Sequence, residues 1–411
     1  MQSSLAPYET SLQHVLAELE RIDLLIRVQV WRARQIHQSD QEFQGLYISE
    51  QEVDDLLAEP AGMPRWAVAS ARPEAAEATE ALDGLARALA TRQAESEGRG
   101  VALRLAELAR RFGLSRQEVD VLLIALAPEV DLRYERLFAY LQDDVTKRRP
   151  SVDLALNLLC PDLEAKLAAR VHFGDHAPLV RHRLIRLFDD PSRPQPPLLA
   201  RYLKVEERVA AWLLGADDLD ARLAPFARRV EPAARLAGLV LPEEWKRRVL
   251  ALAGPEAESA VLYLQGPYGV GKESLAEALC AERGIGLLVV ELDRLLAAHP
   301  AHAGDDETFE AVLDLAAREA VLQNAALYWQ GFDALLEDDR RARRARFLAR
   351  FEGGAAGASM AESRLAFLAG QTDWEPSDAL HEAGFVRVPV PLPGAAERAE
   401  MWVRALAGSD L

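Results

Sequence analysis

An apolar run at 261–265 ends in Gly266, and Gly269, Val270, Gly271 and Lys272 follow at the spacing GxxxxGK, ahead of an Ala/Leu-rich helical pattern that reaches Cys280. Strand, glycine loop and helix in that order constrain the second half of the chain more than any other feature. Such a loop turns its backbone N–H groups and a helix N-terminus toward one point, and a lysine at the head of the helix reaches the same point. That is a cradle for phosphate groups. The position after the lysine should hold Ser or Thr, whose hydroxyl ligates Mg²⁺. Here it is Glu273, and the hydroxyl of Ser274 lies one residue on, about 100° around the helix. Ionised Glu has no donor, and a carboxylate roughly 6 Å from a phosphate charge costs about 2–3 kcal/mol at an effective dielectric near 20. The signal for the fold is intact; the signal for catalysis is damaged.

The 411 residues suffice for two or three domains with real cores. A formal charge of −17 argues against a general binder of nucleic acid or of an anionic membrane, which would have to overcome net repulsion. Cys160 and Cys280 are isolated thiols that imply no disulfide framework. The first residues lack the basic start and apolar core of a signal peptide. No apolar run approaches the ~18 residues that span a bilayer. A soluble, cytoplasmic protein is expected.

Along the chain, Leu12, Val15, Leu16, Leu19, Ile22 and Ile26 recur at helical spacing within 9–36, with Glu18, Arg21 and Asp23 between them as the polar face. A short helix is expected over 51–57 and another in the Ala/Glu-rich stretch 73–98. Leu105, Leu108 and Phe112 form a stripe ending at Gly113, a good helix terminator, and Ser115 with Glu118 forms a capping box for the next helix. That is a helix-turn-helix pattern. A further helix opens at Ser151, and 184–188 with 198–205 read as two strands around a proline-rich tip. Together they predict a winged-helix domain over 100–224, preceded by an N-terminal helical region at 1–99. A linker with Pro225 and Pro232 leads to 240, after which strands at 261–265, 286–291, 325–330, 365–369 and 386–390 alternate with helices. Alternation of that kind demands a parallel sheet covered on both faces. The fold class expected is therefore mixed: a helical and winged-helix region, then an α/β phosphate-loop domain.

Residues 240–411 resemble the AAA+ ATPase module. Beside the Gly266–Lys272 loop, the stretch 327–335 sits where that family has its Walker B strand, which normally ends in Asp-Glu; here Gln330 and Gly331 hold those places. The resemblance implies that Asp would hold the metal and Glu would activate water, and neither group survives. Asp333 matches a later acidic residue of the motif and is read as a helix cap. Thr372 falls where the family usually has a sensing Asn for the γ-phosphate, and no arginine finger lies between Thr372 and Arg387. The stretch 390–402 matches the start of the helical lid, which is incomplete at Leu411. Phosphoryl transfer depends on positioned charge and metal, so the resemblance implies no catalytic residue and no metal ligand here. The residues expected to touch nucleotide are Gly266, Gly269, Val270, Gly271, Lys272, Glu273, Ser274 and Thr372, with ATP or ADP as ligand and Mg²⁺ contributing weakly or not at all.

Stretches 126–131, 134–137, 140–146 and 149–155 narrow the resemblance to bacterial two-module AAA+ ATPases, many of which accompany contractile injection systems. There a winged-helix variant domain and a degenerate first module precede an intact second one. This implies a front portion of a longer ring ATPase serving assembly and docking. Its partners would be copies of its own family in a ring, a second ATPase module, and a client or adaptor protein. A weakly active ATPase is the alternative, and a winged-helix DNA-binding regulator the second. Against the last, the helix opening at Arg116 carries one arginine and two acids before turning apolar, unlike a recognition helix. The arginines from Arg340 to Arg350 read as a solvated face paired with nearby acids. His172, His176 and His182 lack a Cys or Glu to complete a zinc set.

Overall fold

The computed structural model describes residues 6–37, 62–64, 66–67, 73–191, 194–253, 260–299, 305–351, 365–376, 380 and 384–407. The expected helix at 51–57 lies outside them. The chain divides into two compact units, Met1–Ala216 and Asp217–Leu411.

In the first unit, α1 (Ser11–His37) and α2 (Pro73–Gly98) precede α3 (Arg104–Arg111), α4 (Arg116–Val130), α5 (Arg133–Leu141), α6 (Val152–Leu159), α7 (Leu163–Ala169) and α8 (Pro178–Arg181). Strands β1 (Ile185–Phe188) and β2 (Tyr202–Val205) then pair antiparallel, and α9 (Glu207–Leu213) closes the unit. The turn signals act as read. Gly113 takes a left-handed φ of 62° between α3 and α4. Ser115 N donates to Glu118 Oε2 at 2.8 Å while Glu118 N donates back to Ser115 Oγ at 3.3 Å. Ser151 caps α6 by accepting from Leu154 N at 3.1 Å.

The charged face of α1 departs from expectation. Val15, Leu19, Ile22 and Ile26 are buried and Leu12 and Leu16 exposed, but Glu18, Arg21 and Asp23 are buried too. They do not face water because α4 and α5 bring matching charge. Arg116 meets Glu18 at 2.6 Å, Arg21 pairs with Asp120, and Arg133 meets Asp23 at 2.9 Å. Buried ion pairs of this sort add little net stability over apolar packing, but breaking one strands a charge. They fix how α1 docks.

His182 is buried after α8, its ring 5.1 Å from that of Phe112. Burial pushes its pKa down from 6.5 to about 4, with the charge of Arg181 adding to the shift. A folded pKa below the unfolded one gives stability that is complete above pH 6.5 and lost as pH falls toward 4. Urea unfolding should show about 2 kcal/mol lost from this group between pH 7 and pH 5. The His182→Gln variant should lack that part of the pH dependence, and an unchanged difference between the two pH values would reject the assignment.

The second unit holds β3 (Ala227–Val230), α10 (Glu243–Ala253), β4 (Ala260–Gln265), α11 (Lys272–Arg283), β5 (Gly286–Glu291), α12 (Leu292–Ala298) and α13 (Asp305–Leu322). It continues with β6 (Ala325–Gln330), α14 (Asp333–Leu336), α15 (Arg341–Ala349), β7 (Leu365–Gly370), β8 (Phe385–Pro389) and α16 (Ala395–Ala407). The sheet order is β3-β5-β6-β7-β4-β8, parallel except for β3, which pairs antiparallel with β5. All five expected strands are present. The segment read as a linker supplies a sixth, β3, and is bound rather than loose: Glu277 accepts from Ala233 N at 2.9 Å and Ala234 N at 3.0 Å, and Arg235 donates to Ala281 O at 2.9 Å.

Alternation along the strands fills both faces. Leu262, Leu264, Val289, Tyr328 and Phe367 pack with Leu275 and Leu279 of α11, while Tyr263, Leu288, Trp329 and Leu368 pack with Phe309, Leu313 and Phe347 of α13 and α15. The register sets Gln265 opposite Gly370 and Glu291 opposite Gln330, so the strands' carboxyl ends share one edge. β4 lies between β7 and β8, with β5 far to one side. Strand order reverses at β4, and the crevice beyond the carboxyl ends there is where open α/β sheets bind ligands.

Candidate functional site

The loop after β4 occupies that crevice. Gly266 N donates to Gly370 O at 3.1 Å, and Val390 N donates to Gln265 O at 2.8 Å, so the loop leaves the sheet between the ends of β7 and β8. A Cβ at Gly266 would stand 3.0 Å from Val270 Cγ1 and 3.4 Å from Val390 O. Gly269 and Gly271 take φ values of 80° and 92°, which L side chains rarely adopt. Lys272 begins α11 and turns its Nζ back onto the loop, donating to Gly266 O at 2.5 Å and Pro267 O at 3.0 Å. Burial lowers its pKa and the charge of Asp333 opposes that shift. Tyr268, at the loop tip, is 89% exposed.

Glu273 does not stand as an isolated carboxylate. Its Oε1 accepts from Arg228 Nη2 at 2.5 Å, an ion pair 36% and 47% exposed on its two sides. The repulsion expected of a bare carboxylate beside a phosphate is therefore offset by a guanidinium from the unforeseen strand β3. Ser274 is exposed on the next position of the helix.

Two strands from β4 along the same edge, β6 ends at Gln330, and Gly331 takes a φ of 75°. A Cβ at Gly331 would lie 2.6 Å from Asp293 Oδ2, so a carboxylate from α12 stands against the place where a side chain is missing. Sequence spacing gives no sign of that neighbour. Asp333 begins α14, yet its carboxylate works across strands rather than as a helix cap, accepting from Gln371 N at 2.7 Å and Thr372 N at 2.9 Å. Thr372 is exposed, and its carbonyl accepts from the Tyr263 hydroxyl at 2.7 Å. Arg387 is held by Asp373 and by Glu375 at 3.4 Å. Among the described residues no three His, Cys, Asp or Glu side chains are grouped to hold a metal.

The other candidate clusters have structural partners. Arg340 meets Glu337 at 3.3 Å, Arg341 meets Asp338 at 3.7 Å, and Arg346 and Arg350 meet Glu310 at 3.3 and 3.2 Å. Arg343 and Arg350 are buried, so this is not wholly the solvated face expected. Arg343 lies over the Phe309 ring because α15 packs on α13. His172 pairs with Glu118 at 3.2 Å, His176 is exposed, and His182 lies in the core. In α4 every residue from Glu118 to Ala127 is buried, so the middle of that helix is packed in the core.

Residues 1–227 match the family described as winged helix domain, variant. The chain belongs to that family. The winged-helix-variant match takes in the whole first unit and runs on to the start of β3. No curated protein matches the chain. The second half is similar to solved AAA domains. The FIGL-1 AAA domain matches with a TM-score of 0.35 and 15% identity over 46% of this chain and 67% of that one, and its complex with ADP with 0.34 and 16% over 45% and 64%. A structure titled for katanin self-assembly matches with 0.34 and 21% over 48% and 69%. Likeness at that level says nothing of what this chain does, and the architecture rests on its own strand order. No helix among the described residues is long and apolar enough to cross a membrane.

Proposed function

We propose that this chain is a degenerate AAA+ ATPase module joined to a winged-helix-variant domain, binding nucleotide without hydrolysing it. It would serve ring assembly and partner docking in a protein-remodelling ATPase of the kind that accompanies contractile injection systems. One observation carries this reading. The loop from Gly266 to Lys272 keeps its glycine geometry at the reversal point of the sheet, while the positions that would hold metal and base are Glu273, Gln330 and Gly331. The N–H groups of Gly269, Val270, Gly271 and Lys272 and the Lys272 ammonium are the groups that would hold phosphates. Lys272 must first leave the loop carbonyls of Gly266 and Pro267. ATP hydrolysis requires in-line water, a base and neutralised charge. With Gln330 neutral and Gly331 bare, the chain supplies no base at those two positions.

Removing one charge-assisted contact costs about 1.5–3 kcal/mol, so Lys272→Ala should weaken ADP and ATP binding by roughly 10- to 100-fold. Calorimetric titration of the folded variant beside the unaltered chain checks this. Equal affinity in the two would mean that the Lys272 loop does not hold the phosphates.

One observation favours the alternative of a weak ATPase: the Asp293 carboxylate beside Gly331 stands near the place of the lost glutamate. Its partners, in the leading reading, are neighbouring copies, a second ATPase module and a client or adaptor. Leu12 and Leu16 on α1 are among the exposed apolar residues of the winged-helix-variant unit, which also include Leu132, Val145, Leu167 and Val171.

A further inference from the structure

The positions expected to seat Mg²⁺ are altered in this site. The hydroxyl that would ligate it is replaced by Glu273, whose carboxylate is engaged by a guanidinium, and Gln330 and Gly331 bring no charge from β6. What the site has instead is a second cation of its own.

Arg228 is fixed there by the fold. β3 pairs with β5 with Arg228 opposite Val289, and Phe226 O accepts from Glu291 N at 2.8 Å just before it. After the strand, the chain is tied along α11 by Glu277 and Arg235. Successive strand residues point to opposite faces: Arg229 goes to Gln323 at 2.6 Å, and Arg228 goes to Glu273 on the α11 face. The pair is also within electrostatic reach of Tyr328, two residues before Gln330 on the same face of β6. Burial holds that phenol above its usual range, with Glu273 adding to the shift and Arg228 opposing it. So the guanidinium lies on the face of the sheet covered by α11, against Glu273 in the helix's first turn, the residue that follows Lys272. It is 47% exposed, and of its five N–H donors Glu273 uses one; among the described residues Glu273 is its one salt-bridge partner.

We propose that Arg228, oriented by Glu273, is a resident cation standing in for Mg²⁺, so that the site takes the metal-free nucleoside di- or triphosphate. Arginine suits this role because its charge is permanent and its planar fork matches phosphate oxygens. Glu273 keeps the fork in place when the site is empty and leaves it four donors for the ligand. The proposal rests on the reading of the 266–272 loop as a phosphate cradle.

The test is calorimetric titration of the full chain with ADP and ATP, once in excess EDTA and once in excess Mg²⁺. The two affinities should agree within about threefold. In EDTA, Arg228→Ala should weaken binding at least tenfold and Arg228→Lys by less, with Arg228→Gln replacing the alanine variant if that one does not fold. Tightening of tenfold or more by Mg²⁺ in the unaltered chain, or undiminished binding in Arg228→Ala, would overturn the proposal and leave the loop reading in place. No binding in either buffer would overturn both.

Discussion

Replacing Asp220 by alanine should destabilise the second unit by about 3–5 kcal/mol, the cost of breaking a buried ion pair by removing one partner. Asp220 Oδ2 lies 2.5 Å from Arg318 Nη2, and Arg318, on α13, is completely buried. Arg222 binds the same carboxylate through Nη2 at 2.8 Å and Nε at 3.0 Å. Burial alone would raise the Asp220 pKa, but the hydrogen bonds and charges of Arg222 and Arg318 outweigh it and hold the carboxyl below its ordinary 3.8. Its contribution is therefore complete above that value and lost as pH falls below it. The aspartate sits ten residues or fewer before β3 and anchors the stretch carrying the core residues Leu223 and Phe226. Loss of the anchor should also loosen the edge strand that presents Arg228. Urea unfolding at neutral pH measures the effect, and a cost under 1 kcal/mol would mean that Arg318 is satisfied without this carboxylate.

A second large effect is expected at the end of β7. Gly370 is buried there, and a Cβ on it would stand 2.4 Å from the Tyr263 hydroxyl, 3.0 Å from its Cε2 and 3.1 Å from Asp333 Oδ1. The Tyr263 ring cannot easily yield: it packs edge-on against Phe332 at 5.8 Å and Trp374 at 5.6 Å, and its hydroxyl is tied to Thr372 O. Overpacking a site like this costs about 1–3 kcal/mol, and a lost buried hydrogen bond about 1 more. Gly370→Val should thus lose about 2–4 kcal/mol in chemical unfolding. It should also weaken nucleotide binding, because Gly370 O holds the first residue of the loop. A variant as stable as the parent would show that the tyrosine moves freely.

Much of this architecture was legible because it depends on short-range rules. The five parallel strands are apolar runs of the right length between helices, and the wing, the capping box at Ser115 and the turn at Gly113 are local chemistry. Two features failed for the same reason. Glu18, Arg21 and Asp23 read as a wet face because their partners Arg116, Asp120 and Arg133 lie about a hundred residues away in sequence. β3 read as a linker because a short strand with two arginines between prolines has no apolar alternation, and its pairing with β5 is a long-range event. The site divides along the same line. The glycines and Lys272 are one contiguous motif, whereas Arg228 and Asp293 reach the edge only through folding. Gln330 and Gly331 could be read directly; the pairing of Arg228 with Glu273 could not.

We propose that this chain keeps a nucleotide site and does not hydrolyse ATP. Phosphate release from ATP in excess Mg²⁺, compared between the unaltered chain and its Lys272→Ala variant, tests it most directly. The expected result is no release above background in either protein. Release by the unaltered chain that disappears in Lys272→Ala would contradict the claim and turn attention to Asp293 as the acid at work.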